Sequence, residues 1–282
     1  MVEISPSNFE GVDGEAGRGS LYMMKLKKDK YKIYTTEEIQ LIKESSLIVG
    51  KTLAEVAKRI APGVPLMLLN RIGEEFIRDH GGEPSFKGYR GFPCALCVSV
   101  NEVVVHGIPG NQILQDGDIV SVDCGVYKNG FHGDYAYTFP VGNVSQDKLL
   151  LMQRTKQSLF LGIEQAKAGN TTGDIGNAIQ RYVESFGYGV VRDLCGHGCG
   201  RKLHEFPEVN NFGKPKQGPL LKPGMVICIE PMINRGTYKV KTEPDGWTVR
   251  TLDRKPSAHF EHQVAITEKG TELLSTYEYI EG

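Results

Sequence analysis

The segment 119–139 is predicted to form two β-strands joined by a tight turn. Apolar and aromatic side chains alternate with other residues in both runs, which is typical of half-buried strands. They occupy even positions in the first run and odd positions in the second, namely Val120, Val122, Cys124 and Val126, then Phe131, Tyr135, Tyr137 and Phe139. Lys-Asn-Gly between the runs is a turn signal. With an even-length loop the apolar sets share one face, and Asp123 and Asp134 share the other.

The two aspartates are directly opposite if the turn is centred between Lys128 and Asn129. They are diagonal neighbours if Asn129 and Gly130 form the turn. Like charges about 5–8 Å apart destabilise a hairpin, so a bound cation is the simplest compensation. From the hairpin alone, a solvated polar face with two unrelated aspartates remains an equal alternative.

Composition excludes several classes of function. The chain has 282 residues, a net charge of −1 and 40% hydrophobic residues, which is ordinary for a soluble globular protein. The near-zero charge gives no field that favours a membrane or a specific nucleic acid. Neither a GxGxxG nor a Walker A motif is present. Six cysteines without an apolar leader predict reduced thiols and a cytoplasmic location.

The order of predicted elements indicates an α+β fold. Residues 1–32 are predicted to be a disordered, basic N-terminal extension, and residues 33–282 a single catalytic domain. A capping box at Thr35 and Glu38 begins a helix that ends near Pro62, and a second helix follows Pro65. A third helix is predicted from Ser145 to about Ala168. The order helix, helix, strands occurs twice, which favours two similar halves, near 35–142 and 145–282.

The fourth predicted helix, from about 171 to 186, carries apolar residues on one side, namely Ile175, Ile179, Val183 and Phe186. Because these residues recur at three- and four-residue steps, we expect this side of the helix to be buried.

Further carboxylates and histidines fall at strand ends and in glycine-rich bends. Glu230 ends an apolar run before Pro231, and Glu261 lies in another predicted strand. The candidate histidines are His106, His197 and His204. Each alone is more often a satisfied polar residue than a ligand. Together, carboxylates and imidazole without thiolate suit Mn, Fe, Co or Zn, and four carboxylates favour a two-metal site.

Two cysteine pairs offer a different metal hypothesis. Cys94 and Cys97, with Cys195 and Cys199, have spacings that could hold structural zinc. The pairs lie far apart in the sequence, and Cys97 falls in an alternating strand. We therefore disfavour a zinc-thiolate site.

Six motifs in order resemble type I methionine aminopeptidases in the bacterial form, peptidase family M24A. The motifs are VNEVVVHGIPG, VDCGVYKNGFHGDYAYTF, GHGCGRKLHEFP, ICIEPMI, DGWTV and FEHQVAIT. The resemblance covers about residues 33–280 and implies the pita-bread fold, with pseudo-symmetric halves around a central antiparallel sheet. It implies that five residues ligate two divalent cations, namely Asp123, Asp134, His197, Glu230 and Glu261. Of these residues, Asp134 and Glu261 would bridge both ions.

The resemblance also implies roles in hydrolysis. Glu230 would carry protons as well as bind metal, His204 would stabilise the oxyanion, and His106 would contact the scissile amide nitrogen. A metal would bind the substrate α-amine, so a formylated terminus would resist cleavage. The implied methionine pocket is lined by Tyr89, Phe92, Cys97, Leu203 and Trp247. Close relatives often carry Tyr at Phe92, Phe at Leu203 and Cys at Phe86, so the pocket shape is in question.

The implied function is removal of initiator methionine from nascent proteins, after deformylation, when the second residue is small. The implied cofactors are two divalent cations, Co, Mn, Fe or Zn, and the expected partners are nascent N-termini at the ribosome. We expect a monomer that binds neither membrane nor specific nucleic acid. One alternative is an X-Pro peptidase of the same fold, although those relatives usually have an extra N-terminal domain. Another is a non-catalytic binding module, although such descendants lose metal ligands.

Overall fold

The computed structural model describes residues 31–282, so nearly all of the predicted extension lies outside the described residues. The helices are α1 (Thr36–Ala57), α2 (Leu66–Asp79), α3 (Gln146–Gln165), α4 (Thr172–Glu184) and α5 (Glu278–Glu281). The strands of the first half are β1 (Glu83–Pro84), β2 (Leu96–Val100), β3 (Val103–Val105), β4 (Ile119–Lys128) and β5 (Phe131–Pro140). The remaining strands are β6 (Gly189–Val190), β7 (Gly196–Gly198), β8 (Glu205–Val209), β9 (Val226–Ile229), β10 (Met232–Asn234), β11 (Val240–Thr242), β12 (Val249–Thr251), β13 (Ser257–His259), β14 (His262–Thr267) and β15 (Gly270–Leu273).

The order of the elements confirms the predicted α+β class. Two helices precede each group of strands, and the strand pairs within residues 31–282 are antiparallel. In the first half, β4 pairs with β1, β2 and β5. In the second half, β15, β14, β9, β7 and β8 form one sheet in that order. None of the helices in this part of the chain is long and apolar enough to cross a membrane.

Helix α1 begins with the predicted capping box. The Thr35 hydroxyl accepts from the Glu38 amide at 3.2 Å, and the Glu38 carboxylate accepts from the Thr35 amide at 3.0 Å. Both bonds satisfy amide groups that have no partner inside the helix. Its buried residues recur at three- and four-residue steps and include Ile39, Ile42, Ser46, Val49, Leu53 and Val56. The helix ends at Ala57, before the predicted Pro62, because the chain turns after Lys58.

Two other helix predictions need correction. Helix α3 ends at Gln165 rather than at about Ala168, whereas Ser145 is its N-cap as predicted, without a side-chain hydrogen bond. Phe186 was expected on the buried side of the fourth helix but is 40% exposed. It lies beyond the end of α4, so the helical period no longer directs its side chain inward.

The β4–β5 hairpin forms as predicted around a two-residue turn. Lys128 pairs with Phe131, and Asn129 and Gly130 both have positive φ, at 53° and 84°. This conformation suits Asn-Gly in a tight hairpin because glycine has no Cβ to clash. Helix α1 packs on the apolar face at Gly133, where a Cβ atom would lie 2.2 Å from the Ser46 amide nitrogen.

Candidate metal centre and active site

The predicted ligands come together at one cavity of about 250 Å³. It is lined by all five of them, namely Asp123, Asp134, His197, Glu230 and Glu261. Asp123 and Asp134 project from the hairpin, and His197 lies on β7. Glu230 follows β9, and Glu261 directly precedes β14 rather than lying inside a strand as predicted. The cavity therefore lies between the two halves of the chain.

Four buried side chains place possible ligand atoms within 4.8 Å of one another: Asp134, His197, Cys228 and Glu261. Nε2 of His197 is 3.9 Å from Oδ2 of Asp134 and 3.5 Å from Oε1 of Glu230. These distances suit a shared cation better than direct hydrogen bonds.

The tautomer of His197 follows from its second ring nitrogen. Nδ1 lies 3.0 Å from the carbonyl oxygen of Gly198, which can only accept, so Nδ1 carries a proton. Burial lowers the pKa of His197 to about 4, so the ring is neutral near pH 7. The lone pair is therefore on Nε2, the atom that faces the carboxylates. A carbonyl that holds Nδ1 in this way is the usual support of a metal-binding histidine.

The two other predicted catalytic histidines line the same cavity. His106 directly follows β3 and has a φ of 57°, an uncommon conformation for a residue with a side chain. The ring of His204 stacks on Tyr89 with centroids 5.2 Å apart, and its Nδ1 is 3.0 Å from the Tyr89 hydroxyl. Burial and the nearby His197 hold the pKa of His204 well below its usual range.

The predicted methionine pocket forms one apolar cluster. Its buried members are Phe86, Phe92, Cys94, Cys97 and Leu203, with Tyr89, Ile108 and Trp247 packed against them. Phe86, Tyr89, Phe92 and Cys97 line the cavity directly. Leu203 and Trp247 are outside this lining, and Trp247 packs edge-on against Phe92 with centroids 5.2 Å apart. They therefore support the cavity wall from behind.

The sequence of residues 40–268 matches the model of metallopeptidase family M24. The methionine aminopeptidase of Clostridium perfringens is 55% identical over 238 residues, which cover 84% of this chain and 96% of that protein.

This chain belongs to metallopeptidase family M24.

Solved M24 structures have the same fold. The methionine aminopeptidase from Rickettsia prowazekii matches with a TM-score of 0.86 and 39% identity, covering 87% of this chain and 100% of that one. The prolidase from Pyrococcus furiosus matches with a TM-score of 0.72 and 23% identity, over 87% of this chain and 66% of that one, and shows the fold alone. The expected pita-bread fold is thus confirmed, and the chain is a metal-dependent hydrolase.

The electrostatics of the site fit the divalent metals that membership of family M24 implies. Burial raises the pKa of Asp123 to about 7. Burial raises the pKa of Asp134, Glu230 and Glu261 well above the usual range, and neighbouring carboxylates raise it further. Four carboxylates this close together, two of them buried, are therefore hard to ionise together without a cation.

Unpaired oxygen atoms point to the same conclusion. Oδ1 of Asp123, Oδ1 of Asp134 and Oε1 of Glu261 are buried and have no hydrogen-bond partner within residues 31–282. Buried polar atoms are normally paired, so these oxygens are available as ligands. Carboxylate oxygens with one imidazole nitrogen form a donor set for Mn, Fe, Co or Zn.

Several cavity residues were not singled out by the sequence. Arg192, Asp193, Leu194, Glu208 and Asn210 form another part of the lining. Cys228 adds a thiol beside the carboxylates, and its Sγ donates to the carbonyl of Asp134 at 3.9 Å. Cys228 lies two positions before Glu230, the spacing that puts two side chains on one face of a strand. That signal was available in the sequence.

Proposed function

We propose that this chain removes N-terminal methionine from newly made polypeptides by hydrolysis that two divalent cations assist. It acts after deformylation and when the second residue is small. The observation that carries this proposal is the convergence of four carboxylates, two buried and two half-buried, and one neutral imidazole at a single cavity. The similar M24 proteins from Clostridium perfringens and Rickettsia prowazekii are methionine aminopeptidases that match over most of their length. This similarity supports methionine as the residue removed.

The ligands of the proposed centre are Asp123, Asp134, His197, Glu230 and Glu261. Asp134 and Glu261 are the proposed bridging carboxylates. Divalent ions supply a nucleophile near neutral pH by lowering the pKa of water. The cation is Co, Mn, Fe or Zn, because carboxylate and imidazole donors suit all of them.

The remaining roles belong to side chains on the cavity wall. Glu230 carries a proton to the leaving amine, and its high metal-free pKa indicates that its environment tolerates the protonated form. His204 donates to the developing oxyanion, and His106 contacts the scissile amide nitrogen. A free α-amine could offer its nitrogen lone pair to a metal, whereas the nitrogen of a formylated terminus is an amide and has no available lone pair.

The methionine side chain would lie against Tyr89, Phe92 and Cys97. These residues offer an apolar surface to a polarizable thioether, with Leu203 and Trp247 behind them. We propose that the reaction takes place in the cytoplasm, on nascent chains at the ribosome, with the chain acting as a monomer. The six free cysteines support a reducing compartment, and the origin of all five ligands in one chain supports the monomer.

A peptide panel tests the proposal. Metal-free protein would be reconstituted with Mn, Fe, Co or Zn and assayed on Met-Ala-Ser, formyl-Met-Ala-Ser, Met-Leu-Ser and Ala-Pro-Ser. We expect cleavage of the first peptide and little of the other three. Preferred cleavage of Ala-Pro-Ser would indicate an X-Pro peptidase, and metal binding without cleavage of any peptide would indicate a binding module.

A further inference from the structure

His259 is a buried histidine that directly faces the proposed catalytic carboxylate. It ends β13 and pairs with Met232 on β10. Its Nε2 is 3.7 Å from Oε2 of Glu230. The Nε2 atom is buried and has no hydrogen-bond partner among the described residues 31–282. A buried polar atom without a partner is uncommon, and this one lies next to an acceptor.

The backbone of His259 is held firmly on the neighbouring strand. Its amide donates to the hydroxyl of Thr138 at 3.1 Å, and its carbonyl accepts from the same hydroxyl at 2.6 Å. Thr138 lies on β5, the strand that also carries Asp134. The position of the imidazole is therefore tied to the hairpin that supplies two of the proposed ligands.

Glu230 lies between two imidazoles, but only one of them can donate to it. Oε1 is 3.5 Å from Nε2 of His197 and Oε2 is 3.7 Å from Nε2 of His259. Nε2 of His197 holds a lone pair, because Nδ1 of that ring carries the proton that it donates to Gly198. His259 is the remaining imidazole that can offer an N–H to this carboxylate.

We propose that His259 is a positioning residue for Glu230, with its Nε2–H donating to Oε2 and fixing the orientation of the carboxylate. This inference rests on the proposed function, in which Glu230 is both a ligand and a proton carrier. The two atoms are 3.7 Å apart, so the hydrogen bond requires them to come closer by about 0.5 Å.

The proposal predicts that loss of His259 changes metal affinity and turnover but leaves the affinity for the peptide unchanged. Hydrogen bonds that orient a ligating side chain typically change metal affinity or activity by about 10–100-fold when they are removed. His259 lies outside the lining of the cavity, so its loss should leave the contacts to the peptide intact. We therefore expect effects on Mn²⁺ affinity and kcat, with KM for the peptide nearly unchanged.

The test compares three substitutions in the full chain. His259→Leu removes the donor, His259→Gln keeps an amide N–H at similar reach, and His259→Asn keeps the same amide one methylene shorter. Calorimetry would measure Mn²⁺ binding to the metal-free proteins, and Met-Ala-Ser hydrolysis at saturating Mn²⁺ would give kcat and KM. Thermal unfolding of each variant would report on folding.

We expect His259→Leu to weaken Mn²⁺ binding by about 10–100-fold and to lower kcat, while His259→Gln recovers most of both. Unchanged Mn²⁺ affinity in His259→Leu, or equal defects in the Leu and Gln variants, would overturn the proposal. If the Leu variant does not fold, Mn²⁺ affinity and kcat are compared between the Asn and Gln variants instead. A defect in Asn that Gln lacks supports the hydrogen bond, and equal values overturn it.

A failure of the proposed function would look different. Wild-type protein would then bind no Mn²⁺ or cleave no methionyl peptide. If only this inference fails, the wild-type protein is active and the His259 variants match it.

Discussion

Asp123 and Asp134 are diagonal neighbours on one face of the β4–β5 hairpin. Asp123 faces Ala136 across the ladder, and Asp134 faces Gly125 two positions along. Both side chains point into a cavity where burial raises their pKa. The hairpin register therefore brings together two carboxylates that are unfavourable neighbours until a cation binds.

Removing one of these charges should abolish activity without unfolding the chain. We expect Asp134→Asn to lower hydrolysis of a methionyl peptide by at least about 100-fold, because a proposed metal ligand is lost. In the metal-free state its melting temperature should equal or exceed that of the wild type, since a buried charge is removed. Asp79→Asn, at the exposed end of α2, is the matched control and should retain activity. Near-normal turnover by Asp134→Asn would count against the proposed centre.

The metal-free protein should lose stability as the pH rises. The pKa of Asp123 is about 7 in the folded chain against an ordinary 3.8, so the folded state holds this proton more tightly. The stabilisation is complete below about pH 4 and is lost as the pH rises through 7. His197 has the opposite effect, but only below its ordinary pKa of 6.5.

Between pH 6.5 and 8 the carboxylates should therefore determine how the free energy of unfolding changes with pH. We expect the free energy of unfolding of chelator-treated protein to fall over this range, by at most about 1.4 kcal/mol per pH unit for each carboxylate that is still protonated in the folded chain. Urea unfolding at pH 6.5 and at pH 8 measures this change in the free energy of unfolding. Asp134→Asn should flatten the slope, and Mn²⁺ should stabilise the wild type more at pH 8. A metal-free stability that rises over this range would contradict the burial of these carboxylates.

Substitution of His204 should lower kcat more than substitution of Tyr89. Loss of an oxyanion donor costs about 10²–10³-fold in kcat, which is the expected effect of His204→Ala. We expect the Tyr89 hydroxyl to donate to Nδ1, which would place the proton of the neutral His204 ring on Nε2. Since one such bond contributes about 1 kcal/mol, Tyr89→Phe should lower kcat by roughly tenfold or less. Steady-state kinetics on Met-Ala-Ser would give both values. A change in KM alone for His204→Ala would be inconsistent with the oxyanion role.

The apolar cluster should control which N-terminal residue is accepted. Leu203 is buried behind the cavity wall, so Leu203→Ala lets Phe92 and Trp247 move away from the substrate. We expect kcat/KM for methionyl peptides to fall by about 10-fold or more, and leucyl and phenylalanyl peptides to gain relative to them. Leu252→Ala, where Leu252 is 51% exposed, should match the wild type. If Leu203→Ala keeps the residue preference of the wild type, the apolar cluster does not determine which N-terminal residue is accepted.

Local patterns in the sequence predicted the parts of the fold that depend on neighbouring residues. The Asn129–Gly130 turn, the capping box at Thr35 and the alternation of β4 and β5 are such patterns, and the structure confirms them. Helix ends were less accurate, since α1 ends at Ala57 and α3 at Gln165, each a few residues before the predicted end.

The surroundings of the site depend on contacts between distant strands. The distance between His259 and Glu230 depends on the pairing of β10 with β13, which the sequence does not specify. Likewise, the edge-on packing of Trp247 against Phe92 joins residues that are far apart in the sequence. The motifs predicted the residues at the centre, whereas only the folded chain reveals what holds them.

The most direct measurement is the stoichiometry of metal binding, followed together with activity. Metal-free protein would be titrated with Mn²⁺ in a calorimeter, and Met-Ala-Ser hydrolysis would be assayed at each point. We predict two ions per wild-type chain, with activity that appears as they bind and disappears on chelation, and weaker binding by Asp123→Asn. A chain that cleaves the peptide equally well after complete chelation, or that binds no divalent ion, would contradict the account.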